Sequence, residues 1–157
     1  MRLEYFQLID RVAELSVAER TIAVEALVPQ TSSIFEGHFP GYPLMPGVLL
    51  VEAMAQACGW LVVVAQNFER MPFLAQIKEA KLRTFVPPGQ ALRIEGKLLH
   101  EGSGFAVAAA SIKADGKPVC EAELMFRVLP FPSDAFRTHM REWAARLQVP
   151  LNADAHD

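Results

Sequence analysis

The chain has few cysteines and no cluster of basic residues, which argues against a disulfide-rich protein, a cysteine-ligated metal protein and a nucleic-acid-binding protein. It has two cysteines, Cys58 and Cys120, in 157 residues, and their spacing fits neither a disulfide framework nor a paired metal-ligand motif. We interpret both as buried, reduced thiols, which suits a reducing cytoplasm. Its 15 basic residues are scattered among 18 acidic ones, with a net charge of -3. The clustered lysines and arginines of a nucleic-acid-binding surface are therefore lacking.

We expect neither a signal peptide nor a membrane-spanning segment in this sequence. Residues 1–6 contain acidic and aromatic side chains where a signal peptide has an apolar stretch. The run over residues 47–65 is long enough to span a membrane, but Glu52 lies near its middle and no basic flank precedes it. A helix that is apolar all round is better explained as the core of a protein. We therefore expect a buried helix and no membrane span.

What the chain does have is a proline-rich loop directly before this run. Pro40, Pro43 and Pro46 lie within seven residues, and each fixes φ and favours an extended residue before it. The loop is therefore expected to hold His38 in a defined place. Pro46 also suits the first turn of a helix, where a missing N–H costs little.

The helix predicted over residues 47–65 has two polar side chains on one face. Glu52 and Gln56 are four residues apart, so they lie one turn from each other. With apolar residues on every side in the sequence, we expect the Glu52 carboxyl group to be shielded from solvent, with no cation nearby.

The rest of the chain predicts an antiparallel sheet. A short helix over residues 3–9 is expected first, and Asn67 and Pro72 are expected to close the long helix. The predicted strands cover residues 11–15, 21–28, 73–86, 91–99, 105–114 and 119–129. Turn signals at residues 87–89, 102–104 and 115–116 separate the last four strands, which we expect to be successive neighbours. The apolar helix would cover the inner face of this sheet.

A last helix is predicted after Pro132, with Ser133 or Asp134 as its N-cap. Its apolar residues recur at spacings of four, three and four, namely Phe136, Met140, Trp143 and Leu147. This stripe predicts a helix that packs on the domain or at a subunit interface. We divide the chain into a domain of residues 1–129 and an extension of residues 130–157, and we expect it to be polar and frayed from Val149 onward.

Residues 38–49, HFPGYPLMPGVL, followed by EAMAQ at residues 52–56, resemble the active-site signature of the FabZ-type 3-hydroxyacyl-[acyl-carrier-protein] dehydratases. The match includes the fourteen-residue separation of His38 and Glu52 (52 minus 38). The resemblance implies an α+β hotdog fold, in which an antiparallel sheet wraps around a long buried helix. It also implies a homodimer in which His38 of one subunit faces Glu52 of the other, and such dimers could assemble further into a trimer of dimers.

The proposed substrate of such an enzyme is a (3R)-hydroxyacyl chain on acyl carrier protein, and the chemistry accounts for the residue types. Loss of water needs a base for the C2 proton, an acid for the C3 hydroxyl and a donor to the thioester carbonyl. His38 suits the base, and Glu52 suits the acid because burial favours its neutral form. The Gly47 N–H at the helix start suits the carbonyl. Gln56 either supports this site or satisfies local backbone groups, and no metal or organic cofactor is needed.

The carrier protein is acidic, so the resemblance also implies a basic rim beside the site. The candidates are Lys78, Lys81 and Arg83, with Arg137 and Arg141 on the last helix. A solvated charged face is the alternative interpretation of these residues.

Three departures from the family pattern concern the region of the acyl chain. Tyr5-Phe6-Gln7 replaces the usual His-Arg-Tyr-Pro-Phe segment, Gln76 stands where glycine is common, and the tail exceeds the typical chain. The opening and the tail look more like dehydratases that serve the very-long-chain hydroxy acids of lipid A. Glu52, in place of Asp, is unlike the related family that also isomerises its product, which predicts dehydration without double-bond migration.

Two other functions remain open at the level of sequence. A hotdog thioesterase would hydrolyse the thioester with a carboxylate and water. A non-catalytic hotdog subunit would bind acyl chains or pair with another protein, although it would have no need of both His38 and Glu52.

Overall fold

The computed structural model describes residues 1–151, and residues 152–157 lie outside the described part. Its elements, in chain order, are a 3₁₀ turn (Leu3–Tyr5), β1 (Arg11–Ser16), β2 (Thr21–Leu27), α1 (Ser33–Gly37), α2 (Gly47–Ala65), β3 (Arg70–Leu82), β4 (Ala91–Gly102), β5 (Phe105–Ala114), β6 (Lys117–Pro130) and α3 (Asp134–Arg146). The predicted long helix has the bounds of α2, whereas α1 was not predicted.

Within the described residues, six strands form one antiparallel sheet in the order β1-β2-β4-β5-β6-β3. The hairpin predicted at Asp115–Gly116 joins β5 to β6, and both turn residues have positive φ, as this tight connection requires. The expectation of four successive neighbours is wrong. The chain after β3 crosses the sheet, so β4 pairs with β2 while β3 pairs with β6.

β3 lies at the edge of the sheet and differs from its prediction. It begins at Arg70, so Pro72 lies inside the strand and does not close the preceding helix. An edge strand tolerates proline because one of its two sides needs no ladder of hydrogen bonds. Most of β3 from Phe73 onward is exposed, so this edge of the sheet is free in a single chain.

The core lies between the sheet and α2. Thirteen α2 residues are buried, and the helix contacts β2, β3, β4, β5 and β6. Its apolar window, with a mean hydropathy of 2.0, is 72% buried inside the domain, as expected of a core helix. Gly96 lets α2 pack closely against β4. A Cβ at this position would lie 2.7 Å from Cys58 Sγ in α2 and 3.1 Å from Ile22 Cγ2 in β2.

α3 packs on the same core. Ser133 caps it by accepting a hydrogen bond from the N–H of Phe136 (3.1 Å). Met140, Ala144 and Leu147 are buried, and the N–H of Val12 in β1 donates to the carbonyl of Leu147 (2.8 Å). The predicted apolar stripe therefore packs against the domain.

The prediction that the chain frays from Val149 is wrong at that residue. Val149 is 4% exposed, and its N–H donates to the carbonyl of Ala144 (2.9 Å). The end of the predicted frayed segment, residues 152–157, lies outside the described part of the chain. The antiparallel sheet around α2 confirms the expected hotdog fold.

Candidate active site

His38 is held at the end of α1. Its N–H donates to the carbonyl of Ile34 (3.0 Å), and its Nδ1 lies 2.9 Å from the carbonyl oxygen of Leu44. A carbonyl oxygen accepts hydrogen bonds and donates none, so Nδ1 carries the proton in this contact. In the neutral ring Nε2 is then unprotonated and available as a base.

The N-terminus of α1 is capped by two side chains. Ser32 accepts a hydrogen bond from the N–H of Ile34 (3.2 Å). The Glu4 carboxylate accepts from the Ser32 hydroxyl (2.6 Å) and from the N–H of Ser33 (3.0 Å). These hydrogen bonds, that of Ser32 foremost, lower the pKa of Glu4 to about 2. Glu4 therefore joins the first turn of the chain to the short helix that ends at His38.

Gly47 is the first residue of α2, so no carbonyl within the helix accepts a hydrogen bond from its N–H. The preceding loop is tied to the sheet connection by a hydrogen bond from the N–H of Met45 to the carbonyl of Val86 (2.8 Å). A Cβ at Gly47 would lie 2.3 Å from Leu82 Cδ1. Glycine thus lets the end of β3 approach the helix start.

Gln56 is bonded both to the backbone and to Glu52. Its Nε2 donates to the carbonyl of Phe6 (2.7 Å) and to Glu52 Oε1 (3.2 Å), and its Oε1 accepts from the N–H of Leu8 (3.1 Å). The two roles considered for Gln56 are therefore combined in one side chain.

Glu52 is half-buried in the single chain, so the expectation that it is shielded from solvent is wrong for an isolated subunit. The reason is that its face of α2 is not fully covered by the described residues. Glu52 instead lines a cavity of about 390 Å³.

This cavity lies along one face of α2. The lining residues of the helix follow the spacing of a single helix face, namely Glu52, Ala55, Gln56, Gly59, Trp60 and Val63. Tyr5, Phe6, Met71, Pro72, Leu74 and Phe126 also line it, together with Phe136, His139, Met140 and Trp143 of α3. The sequence indicated Glu52 and Gln56, and the departures at residues 5–7 and in the tail were placed near the acyl chain through the family resemblance. No local pattern predicted which residues of α3 line the cavity, because these contacts join distant parts of the chain.

The structure brings together Glu52 and Gln56 but leaves His38 and Gly47 outside the residues that line this cavity. His38 is half-buried in the loop before α2. Within the described part of a single chain, the candidate base therefore lies outside the cavity that the candidate acid lines.

Acidic residues lie beside or opposite the candidate docking residues Lys78, Lys81 and Arg83. Arg83 is paired with Glu121 at 2.5 Å. On the exposed strand β3, Lys81 lies opposite the same Glu121, and Lys78 lies opposite Glu123. On α3, the Arg137 guanidinium lies 5.5 Å from the ring centroid of Phe131, and that of Arg141 lies 4.8 Å from that of Phe68. Carboxylates opposite the β3 cations reduce the positive potential of the predicted rim.

Both cysteines are buried. Burial raises the pKa of the Cys58 thiol to about 12 and, with a smaller effect of Glu121, that of Cys120 to about 11. Neither thiol is therefore suited to act as a nucleophile. Across residues 1–151, no three His, Cys, Asp or Glu side chains are grouped as metal ligands.

Sequence comparison relates the chain to proteins of known activity. The profile of the FabA-like domain matches residues 2–123. The 3-hydroxyacyl-[acyl-carrier-protein] dehydratase FabZ of Ruminiclostridium cellulolyticum is 39% identical over 122 residues, which cover 77% of this chain and 85% of the relative. The FabZ of Clostridioides difficile is 37% identical over 125 residues, with coverages of 79% and 87%.

Solved structures resemble the chain in fold. A hypothetical thioesterase from Streptococcus pneumoniae, solved with coenzyme A, has a TM-score of 0.61 and 19% identity and covers 78% of this chain and 88% of its own. A conserved protein from Pseudomonas aeruginosa has a TM-score of 0.62 and 20% identity, with coverages of 80% and 91%. At these identities the likeness concerns the fold alone.

Proposed function

The chain belongs to the FabA-like family, and we propose that it dehydrates (3R)-hydroxyacyl-[acyl-carrier-protein] to trans-2-enoyl-[acyl-carrier-protein] in the synthesis of fatty acyl chains. The observation that carries this proposal is the state of His38, whose Nδ1 donates to the Leu44 carbonyl and leaves Nε2 free as a base. His38 and Glu52 both lie within the matched residues 2–123, and the FabZ relatives bear the name of this reaction.

In the proposed reaction, His38 Nε2 removes a proton from C2 of the acyl chain. The electrons of the C2–H bond form the C2=C3 double bond, the C3–O bond breaks, and Glu52 gives its proton to the departing hydroxyl, which leaves as water. Charge that develops on the thioester oxygen is stabilised by the N–H of Gly47 and the N-terminus of α2. Gln56 orients the Glu52 carboxyl group through their hydrogen bond.

A single assay tests this reaction against hydrolysis and simple binding. The protein is incubated with a 3-hydroxyacyl thioester while enoyl absorbance and free thiol are followed together. We expect a trans-2-enoyl product without a cis-3 isomer, and at least a 100-fold loss of rate in His38→Ala and in Glu52→Gln. Thiol release without enoyl product would instead identify a thioesterase, and neither signal would identify a non-catalytic subunit.

We further propose that the active site is shared between two subunits, with His38 of one chain and Glu52 of its partner. Three observations support this: the two residues occupy different surroundings in one chain, Glu52 is only half-buried, and β3 has a free edge. A pair of β3 edges would extend the sheet across the two subunits. A trimer of such dimers is a further expectation, which the mass of the particle in solution would test.

Mixed subunits test the shared site directly. A dimer of one His38→Ala chain and one Glu52→Gln chain contains one intact site, formed by His38 of the second chain and Glu52 of the first. Random pairing of equal amounts makes half of the dimers mixed, so about a quarter of the wild-type activity should return. No recovery after verified exchange of subunits would show that the two residues act within one chain.

The proposed carrier docking surface is Lys78, Lys81 and Arg83. Charge reversal at Lys81 and Arg83 should raise KM for the carrier-bound substrate and leave a small soluble thioester unaffected. Equal losses with both substrates would point to misfolding. We also propose a cytoplasmic location, because Cys58 and Cys120 are free, buried thiols. A role with the very-long-chain hydroxy acids of lipid A is proposed because residues 5–7 and the tail depart from the common dehydratase pattern.

A further inference from the structure

α3 contributes to the cavity beside Glu52 although it lies beyond the residues that match the family. The matched residues end at 123, whereas α3 covers Asp134–Arg146. Three of its apolar side chains, Phe136, Met140 and Trp143, line the cavity. Part of this wall therefore lies outside the residues that the family model matches.

Along α2, the lining of the cavity is polar at one end and apolar at the other. The lining residues of α2 run along one helix face from Glu52 to Val63, so the polar groups Glu52 and Gln56 lie at one end of the row and apolar residues follow. At about 1.5 Å per residue, Trp60 lies about 12 Å along the helix from Glu52. Any chain that reacts at Glu52 and follows this face must reach Trp60 before Val63.

The length of an acyl chain decides whether it reaches Trp60 of α2, which contacts Trp143 of α3. Three bonds of an extended chain cover about 3.5 Å, so about ten bonds are needed to reach Trp60 from the reacting carbons. A chain of about fourteen carbons arrives there, and a chain of about six carbons ends well before it.

Trp143 lines the cavity beside Trp60. Its ring is edge-to-face with that of Trp60, with centroids 5.9 Å apart. Trp143 is half-buried, whereas α3 is anchored by the buried Met140, Ala144 and Leu147. The helix therefore has anchors other than Trp143, whose ring is placed to contact the end of a long chain.

We propose that α3 is the distal wall of the acyl-chain site and that Trp143 favours hydroxyacyl chains of about fourteen carbons or more over short ones. This inference rests on the proposed dehydratase function. It assigns the substrate class of that site to long-chain 3-hydroxyacyl thioesters and Trp143 to its specificity.

Intrinsic fluorescence supplies a readout that does not depend on turnover. The chain has two tryptophans, and both line this cavity. Titration with 3-hydroxyacyl pantetheine thioesters of about six and about fourteen carbons should change the emission of the wild-type protein with the long chain only. An equal change with both thioesters would overturn the inference.

The kinetic test compares the ratio of kcat/KM for the long thioester to that for the short one. Trp143→Ala should lower this ratio roughly tenfold, because apolar contact with the end of the long chain is lost. Thr138→Ala, on the exposed part of the same helix, is the matched control and should keep the wild-type ratio. An unchanged ratio in Trp143→Ala would contradict the proposal.

A second variant covers the case in which Trp143→Ala does not fold. A Cβ at Gly59 would lie 3.8 Å from Pro72 Cγ, an ordinary contact, and leucine is a better helix former than glycine. Gly59→Leu should therefore fold, fill the cavity before Trp60 and lower the same ratio at least tenfold. If no thioester of any length yields enoyl product but the length-dependent emission persists, the dehydratase proposal fails while the long-chain site stands.

Discussion

At the scale of single residues, Gln56 connects the N-terminal segment to the candidate acid. It makes three hydrogen bonds, to Phe6, Leu8 and Glu52. Leu8 is fully buried, so its N–H depends on Gln56 for a partner. The side chain therefore serves both stability and the orientation of Glu52.

We predict that Gln56→Met lowers both the stability of the fold and the turnover rate. The loss of the acceptor for the Leu8 N–H should reduce the free energy of unfolding by about 1–3 kcal/mol, and the free rotation of Glu52 should lower kcat more than it changes KM. Urea unfolding and steady-state kinetics measure these effects. Gln148→Met, at an exposed position, is the control, and equal effects in both variants would contradict this role of Gln56.

Glu4 is the second polar residue whose role depends on a distant contact. Its pKa in the folded protein is about 2, below the ordinary value of 4.5, so the ionised form stabilises the fold. This contribution is complete above about pH 4.5 and is lost as the pH falls toward 2.

Glu4→Gln should accordingly lower stability at pH 7, and the difference from wild type should shrink as the pH falls from about 4.5 toward 2. Urea midpoints at several pH values measure this difference. A gap that stays constant down to pH 3 would show that the Glu4 charge does not support α1.

At the scale of elements, the contact between α2 and β4 depends on Gly96. The absence of a side chain there lets Cys58 Sγ approach the strand, and a Cβ would come within 2.7 Å of it. Cys58 and Gly96 are both buried, so a shift of α2 or of β4 would disturb the packing of the core.

Gly96→Ala should therefore lower the free energy of unfolding by about 1–3 kcal/mol through overpacking. Cys58→Ala removes the clashing sulfur, so the double variant should be less destabilised than the sum of the two single changes. A double-mutant cycle from urea unfolding measures this coupling. Strict additivity would mean that the two residues do not compete for space.

The elements also show how much of the fold could be predicted from sequence. The bounds of α2 follow from its apolar run between Pro46 and Gln66, and the turn at Asp115–Gly116 follows from local preference. The pairing of β3 with β6 does not, because it joins residues far apart in the chain. The role of Glu4 was missed for the same reason, since no local pattern records contacts between distant segments. The tail that contains α3 was placed near the acyl chain only through the family resemblance.

At the scale of the whole molecule, an apolar surface is left open near the helix start. Phe39, Tyr42, Val48, Leu82 and Phe85 are all exposed, with Val48 and Phe85 at 75%. The contacts of Gly47 with Leu82 and of Met45 with Val86 place these residues in one region. Such a surface beside a free β3 edge is typical of a subunit interface.

We predict that Phe85→Glu weakens the dimer without unfolding the chain, because this side chain contributes little to the core of one subunit. Sedimentation should show more monomer, and specific activity should fall on dilution. Leu99→Glu, on β4 at 48% exposure, is the control and should leave assembly intact. A stable monomer with full activity would contradict the shared site.

The close fit of Cys58 also affects the chemical lifetime of the protein. Oxidation would add oxygen to a sulfur that already lies close to Gly96, and the raised pKa keeps the thiol in its unreactive form. Peroxide can therefore damage this residue only when α2 separates from the sheet. The rate of Cys58 oxidation then reports how often the whole core opens.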